Sequence, residues 1–171
     1  MDTELEKVEH ILTTNEKLEA WGVGEWVEEP EIVNFVYKGH KCQIYRAFVK
    51  HDRVIELGYL CGYLELPKGH VWHSKEDIDI DCDVHGGLTF SQEADADADV
   101  WVIGFDCAHS MDICPGTESM RAEVAKKMPH LITRYYRMHP PSYKNVAFVK
   151  AELQRLVDQA IEAQSKLITA I

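Results

Sequence analysis

Between residues 32 and 107 the chain repeats one texture: short runs of β-branched and aromatic residues, each closed by a turn signal. The runs span 32–38, 42–49, 54–66, 78–85, 88–90 and 100–107, and the punctuation is Gly39, His51-Asp52, Pro67-Lys-Gly69, Gly86-Gly87 and the 94–99 loop. Side chains alternate across a strand, so each run carries one apolar face that another layer must cover. The pattern predicts an antiparallel meander with helices lying on it.

The flanking segments supply those helices. Thr3-x-x-Glu6 and Thr13-x-x-Glu16 have the form of capping boxes, and Leu5, Val8 and Leu12 recur at helical spacing. They predict a helix over 3–12 and a second ending before Gly22. Beyond Pro115-Gly116, Met120, Val124 and Met128 mark a short helix, and Pro129, Pro140 and Pro141 bracket an irregular basic connection. The clearest helix is 144–168, with Val146, Val149, Leu153, Leu156, Ala160 and Leu167 on one stripe. The expected fold is α+β, an antiparallel sheet covered by N- and C-terminal helices in a single domain, 1–171. Its parts are a helical segment 1–22, a β core 32–109, and a basic connection and C-terminal helix 117–171.

Charge narrows the function classes. Residues 1–118 hold 9 Lys/Arg against 25 Asp/Glu, residues 119–155 hold 8 against 2, and the whole 171-residue chain stands at −11. That acidity argues against duplex nucleic acid, whose binding rests on neutralising phosphates. The local basic stretch either packs against the acidic body or receives a small phosphorylated ligand. No apolar run approaches the roughly 18 residues of a membrane span. The acidic start and five scattered cysteines without a Cys-x-x-Cys pair point to a reducing, cytoplasmic setting with free thiols.

Chemistry-bearing residues gather in two blocks, Val84-His-Gly-Gly-Leu-Thr-Phe90 and Trp101-Val-Ile-Gly-Phe-Asp-Cys-Ala-His109. As a strand, 78–85 would put Asp79, Asp81, Asp83 and His85 on one face. In the second block Cys107 and His109 would share a face and Asp106 the other. Cys107 and His109 at i and i+2 suit a divalent transition metal such as zinc, with His85 or His70 third and a water fourth. Without metal, His85 and His109 are candidate acid/base residues with Asp106 as orienter. Gly86 and Gly87 read as a hairpin turn that also lets a ligand approach backbone N–H groups. Pro67-Lys-Gly-His70 is a second loop for the same rim, and Arg134 and Arg137 are candidate phosphate clamps.

Competing patterns are weaker. Asp95, Asp97, Asp99 and Asp106 fall at calcium-loop spacings, but Val100 stands where the sharp turn needs glycine, which favours a solvated hairpin loop. A Cys–His nucleophile could draw on Cys61 or Cys107, yet Cys61 lies inside a strand-like run, where thiols are inert. No Gly-x-Ser-x-Gly, Gly-x-Gly-x-x-Gly or Gly-Lys-Ser/Thr motif occurs.

Gly58-Tyr-Leu-Cys-Gly-Tyr63, Pro67-x-Gly-His70, the two blocks above with Asp112, and Val149-x-x-Glu152 occur in order. Across roughly residues 40–160 the chain thereby resembles a family of small proteins encoded by bacteriophages and prophages. The resemblance implies provenance and a common fold, not an activity. It departs at Tyr59, where the family pattern carries histidine before Leu-Cys-Gly. A phage origin implies the host cytosol and, by analogy, counter-defence. Three functions follow. The first is a small hydrolase acting on a phosphorylated metabolite or nucleotide. The second is a binding module that sequesters such a molecule, with Trp72, Trp101 or Tyr63 for stacking. The third is an acidic inhibitor of a host protein.

Overall fold

The computed structural model describes residues 6–94, 97–129 and 138–169, without the side chains of residues 97, 98, 119 and 120. The architecture is α+β, as the texture predicts. The strands are β1 Lys7–Glu9, β2 Ile32–Tyr37, β3 His40–His51, β4 Val54–Pro67, β5 Phe90–Ala94 and β6 Asp97–Asp106. They form one antiparallel sheet in the order β1-β2-β3-β4-β6-β5. The helices are α1 Thr14–Trp21, α2 Glu118–Lys127 and α3 Val146–Thr169.

The C-terminal helix covers one face of the sheet. Val149, Leu153, Leu156, Val157 and Ala160 are fully buried, one stripe at helical spacing. They meet the inner-face residues Leu60, Leu64 and Leu66 of β4 and Ile103 and Phe105 of β6. Gly62 permits the close approach, since a Cβ there would lie 2.7 Å from Phe105 and 3.1 Å from Leu153. Outer residues of the sheet, including Asn34 of β2, Gln43 of β3, Tyr63 of β4 and Val102 of β6, are left uncovered by this helix and line a concavity instead.

Two predicted elements are overturned, and a third shifts: the strand expected at 88–90 runs as Phe90–Ala94, and β6 begins at Asp97, inside the expected 94–99 loop. Lys7–Glu9 pairs with Ile32–Asn34 as a strand, so the helix expected over 3–12 does not form there, and Thr3 lies outside the described residues. Residues 78–85 are not a strand. Asp77–Asp79 makes a 3-10 turn, and the alternation of buried Ile80 and Val84 with exposed Asp81 and Asp83 persists in an unpaired extended segment. Alternation reports two-sided burial, and a helix satisfies that as well as a neighbouring strand does. Asp83 donates its N–H to Gln159 Oε1 at 2.7 Å, and its carbonyl accepts from Gln159 Nε2 at 2.8 Å. The expected helix at Thr13-x-x-Glu16 does form, with its capping box closed in both directions.

A charged network that the hydropathy pattern does not disclose fastens the N-terminal layer. Lys17, Glu31 and Arg46 are each no more than 1% exposed. Lys17 Nζ lies 2.6 Å from Glu31 Oε1, and Glu31 Oε2 accepts from the N–H groups of Ile11 and Leu12. Arg46 pairs with Glu29 at 2.9 Å and donates to Gly58 O and to Tyr143 Oη. Tyr143 donates to Glu29, whose other oxygen takes the N–H of Val146 at the start of α3. Two cations and two anions thus join α1, the segment leading into β2, β3 and the start of the C-terminal helix. The register shifts between Ala47 and Phe48 against β4, leaving Gly58 without a partner on β3, and its carbonyl accepts from Arg46.

Candidate functional site

His85 arrives at the site from the extended segment that lies along α3. Its backbone N–H donates to Glu152 Oε2 at 2.8 Å, while Arg155 holds Glu152 Oε1 at 2.8 Å. The chain then reverses: Gly87 donates to Val84 O at 3.0 Å, and Gly86 and Gly87 take φ of +70° and +86°. This is a turn at the predicted glycines, though not a hairpin, because no strand precedes it. Gly86 has a second role. A Cβ there would lie 2.0 Å from His109 Cε1 and 2.1 Å from Nε2, so only glycine leaves room for that imidazole.

His109 follows the end of β6. Cys107 still pairs with Leu60 O, after which Asp106 Oδ1 takes the Ala108 N–H at 3.0 Å and ends the strand. The next turn is closed by Asp112, which donates its N–H to His109 O and accepts the His109 N–H on Oδ2 at 3.0 Å. Ser142 brackets Asp112 through bonds to Met111 and Ile113, and Arg121 donates to the Asp112 carbonyl.

Three functional groups converge there. Asp112 is 1% exposed, and its carboxylate lies 2.9 and 3.1 Å from His85 Nε2 and 3.1 Å from His109 Nδ1. The imidazoles meet edge to face at 5.2 Å, and Phe148 of α3 packs against His85 at 5.3 Å. Burial works to raise the Asp112 pKa, but the hydrogen bonds from His85 and His109 outweigh it and hold the carboxyl below its ordinary value. Lys144 Nζ stands 3.8 Å from Asp112 Oδ1, fixed by Ser142 Oγ and lying over the Phe148 ring.

The donor set fits a metal. One ligand atom from each of His85, His109 and Asp112 lies within 4.8 Å of the others. Zinc bonds of about 2.1 Å at the tetrahedral angle place neighbouring donors roughly 3.4 Å apart, and two nitrogens with one carboxylate leave the fourth position open. The carboxylate–imidazole edges of 2.9 and 3.1 Å come close to that spacing and need only a small outward shift of the rings. The partly exposed imidazoles leave the open side toward solvent. Without an ion the same contacts orient both rings as donors to Asp112, leaving His85 Nδ1 and His109 Nε2 as the proton-accepting atoms.

Of the residues singled out from the sequence, His85, His109, Gly86 and Gly87 come together. Asp106 and Cys107 do not join them. Strand alternation sends Asp106 to the outer face, where it caps Ala108, and Asp112 takes the orienting position instead. Cys107 is buried among core residues, and that burial pushes its thiol pKa up, which suits neither a ligand nor a nucleophile. His70 is also structural. Its Nδ1 accepts the Trp72 N–H and its Nε2 bonds Ala160 O at 3.1 Å, so both ring nitrogens are engaged away from the site. Trp72 is core, and Trp101 is tied to Ser91 on the far hairpin. Arg134 and Arg137 lie outside the described residues, as does Asp95 of the acidic loop. Asp99 pairs with Lys68, within strand β6 rather than in a cation loop.

Sequence reasoning missed Asp112 as a site residue, and it missed Lys144, Ser142 and Glu152. Only Asp112 leaves a local trace, as a carboxylate three residues after His109 that is able to cap the turn. Family models, curated proteins and solved structures yield no match to the chain.

Proposed function

We propose that His85, His109 and Asp112 hold a divalent transition metal, with zinc the best fit to two imidazoles and one carboxylate, and that the centre hydrolyses a small phosphorylated molecule or nucleotide. The observation that carries this reading is the convergence of both imidazoles on one buried carboxylate, at edges a metal would span. A bound ion would acidify a water on the open side. Lys144, beside the carboxylate, supplies positive charge for an anionic substrate, and Glu152 keeps the His85 loop seated on α3. The ordered blocks that resemble phage and prophage proteins support an accessory role in the cytosol of a bacterial host, with counter-defence as its setting.

Calorimetric titration with zinc, run beside turnover of p-nitrophenyl phosphate and a nucleoside 5′-monophosphate, tests the reading. One zinc per chain is expected, with affinity at least about 10- to 100-fold weaker in Asp112→Asn, since that is the cost of losing even an outer-sphere partner, and turnover abolished by chelator. Circular dichroism confirms that the variant is folded. Absence of stoichiometric zinc, or equal affinity in wild type and Asp112→Asn, overturns the metal centre. Zinc binding with unaltered phosphorylated ligand recovered from the protein overturns hydrolysis and leaves sequestration.

A further inference from the structure

The sheet face opposite α3 holds a concavity of about 450 Å³, and neither imidazole of the His85–His109 pair is in its lining. Small-molecule sites fall in roughly the 300–1,000 Å³ range and combine an apolar bed with a few placed polar groups. This one has both. Tyr63 of β4, Gly104 of β6 and Phe90 of β5 are consecutive partners across three neighbouring strands. The glycine lets the Tyr63 ring lie down over the sheet: a Cβ at Gly104 would lie 2.5 Å from that ring. Tyr63 and Phe90 meet edge to face at 5.3 Å and an interplanar angle of 77°, and Val102 extends the apolar bed.

The polar wall is made of amides. Gln43 Nε2 donates to Asn34 Oδ1 at 2.8 Å, which orders the two amides side by side, and Gln92 lies on the opposite strand. The rim charges balance, with Lys7 and Lys41 set against Glu65 and Glu93; Lys41 lies 3.5 Å from Glu65, and Lys7 lies 2.9 Å from Glu9. A free phosphate or a carboxylate therefore finds no excess cation to hold it. A flat apolar bed beside ordered primary amides, with no net charge, matches a planar uncharged heteroaromatic ring. Such rings stack on an aromatic side chain, and their donor–acceptor edge pairs with Asn or Gln.

We propose that this outer concavity is a binding site for a neutral, nucleobase-like heterocycle, separate from the His85–His109–Asp112 centre. Its occupancy is independent of the metal. Saturation-transfer NMR and calorimetry of the full chain with adenine, adenosine and inorganic phosphate test it, with a neutral oligosaccharide as the competing ligand class. Adenine and adenosine are expected to bind and inorganic phosphate not to. Tyr63→Ala is expected to raise the dissociation constant about tenfold or more, and Gln43→Leu to weaken binding while the sheet stays intact by circular dichroism. His85→Ala is expected to leave heterocycle binding unchanged, and Tyr63→Ala to leave zinc binding unchanged, so that failure of one site is distinguishable from failure of the other. No binding of either heterocycle, binding indifferent to both outer-face variants, preference for the oligosaccharide, or a dimer in sedimentation that excludes the ligand would each overturn the assignment.

Discussion

Replacing Gly86 by alanine probes the candidate centre without removing any of its ligands. The new methyl carbon would sit 2.0 Å from His109 Cε1, where carbon atoms ordinarily approach to about 3.5–4.0 Å. The ring must therefore retreat by roughly 1.5 Å or leave its rotamer, and the His109–Asp112 contact of 3.1 Å cannot survive either movement. The metal would then keep only two of its three protein ligands, so zinc affinity should fall by at least roughly 10- to 100-fold, the loss that disturbing even an outer-sphere partner brings. The backbone adds its own penalty, because alanine at φ +70° costs about 1–2 kcal/mol. Gly87→Ala separates the two effects. It has the same left-handed backbone, at φ +86°, but nothing lies within 4 Å of its added Cβ. Urea melts should show Gly87→Ala destabilised by about 1–2 kcal/mol and Gly86→Ala by more, because it also displaces the His109 ring, while calorimetry shows zinc affinity lost only in Gly86→Ala. Equal zinc affinities in the two variants would mean that His109 is not held against Gly86 as a ligand, and the reasoning would fail.

Three further outcomes follow from the packing. Glu31→Gln leaves Lys17 and Arg46 buried without full compensation, and should cost about 3–5 kcal/mol in urea unfolding; a loss below about 1 kcal/mol would show that water reaches the network. Leu153→Ala removes a fully buried side chain at the Gly62 crossing and should cost about 2–5 kcal/mol, read from the shift in urea midpoint at constant slope. Burial raises the thiols of Cys61, Cys82 and Cys114 from 9.0 to about 11, so between those values the folded chain keeps protons that the unfolded chain releases. Stability from this source is complete below pH 9 and is lost as pH climbs toward 11, and the buried thiols of Cys42, Cys61 and Cys107 should resist Ellman's reagent at pH 8 until urea is added. Rapid labelling of more than the two partly exposed thiols, Cys82 and Cys114, in the native protein would contradict that burial.

Local rules within the sequence were enough for several elements. Thr13 and Glu16 announce α1, because a capping box needs only residues three apart. The stripe from Val149 to Ala160 announces the C-terminal helix, and alternation after residue 100 sends Phe105 inward and Asp106 outward. Gly86 and Gly87 announce a chain reversal, since few other residues accept positive φ.

What the sequence could not settle was which partner satisfies each exposed bond and charge. The run 80–84 alternates like a strand, but side chains of α3 rather than a neighbouring strand take up its peptide groups, and pairing is not written into alternation. Lys7–Glu9 became a strand because β2 offered it an edge. Lys17 and Arg46 look like surface residues in sequence and are buried, because Glu29 and Glu31 come to meet them from another segment. The site itself depends on this kind of closure. His85 and Asp112 are 27 residues apart, and only the packing of the glycine turn and the post-β6 turn against α3 brings imidazole and carboxylate within 3 Å. Short-range backbone preferences are properties of the chain, whereas the meeting of charges across loops is a property of the folded whole.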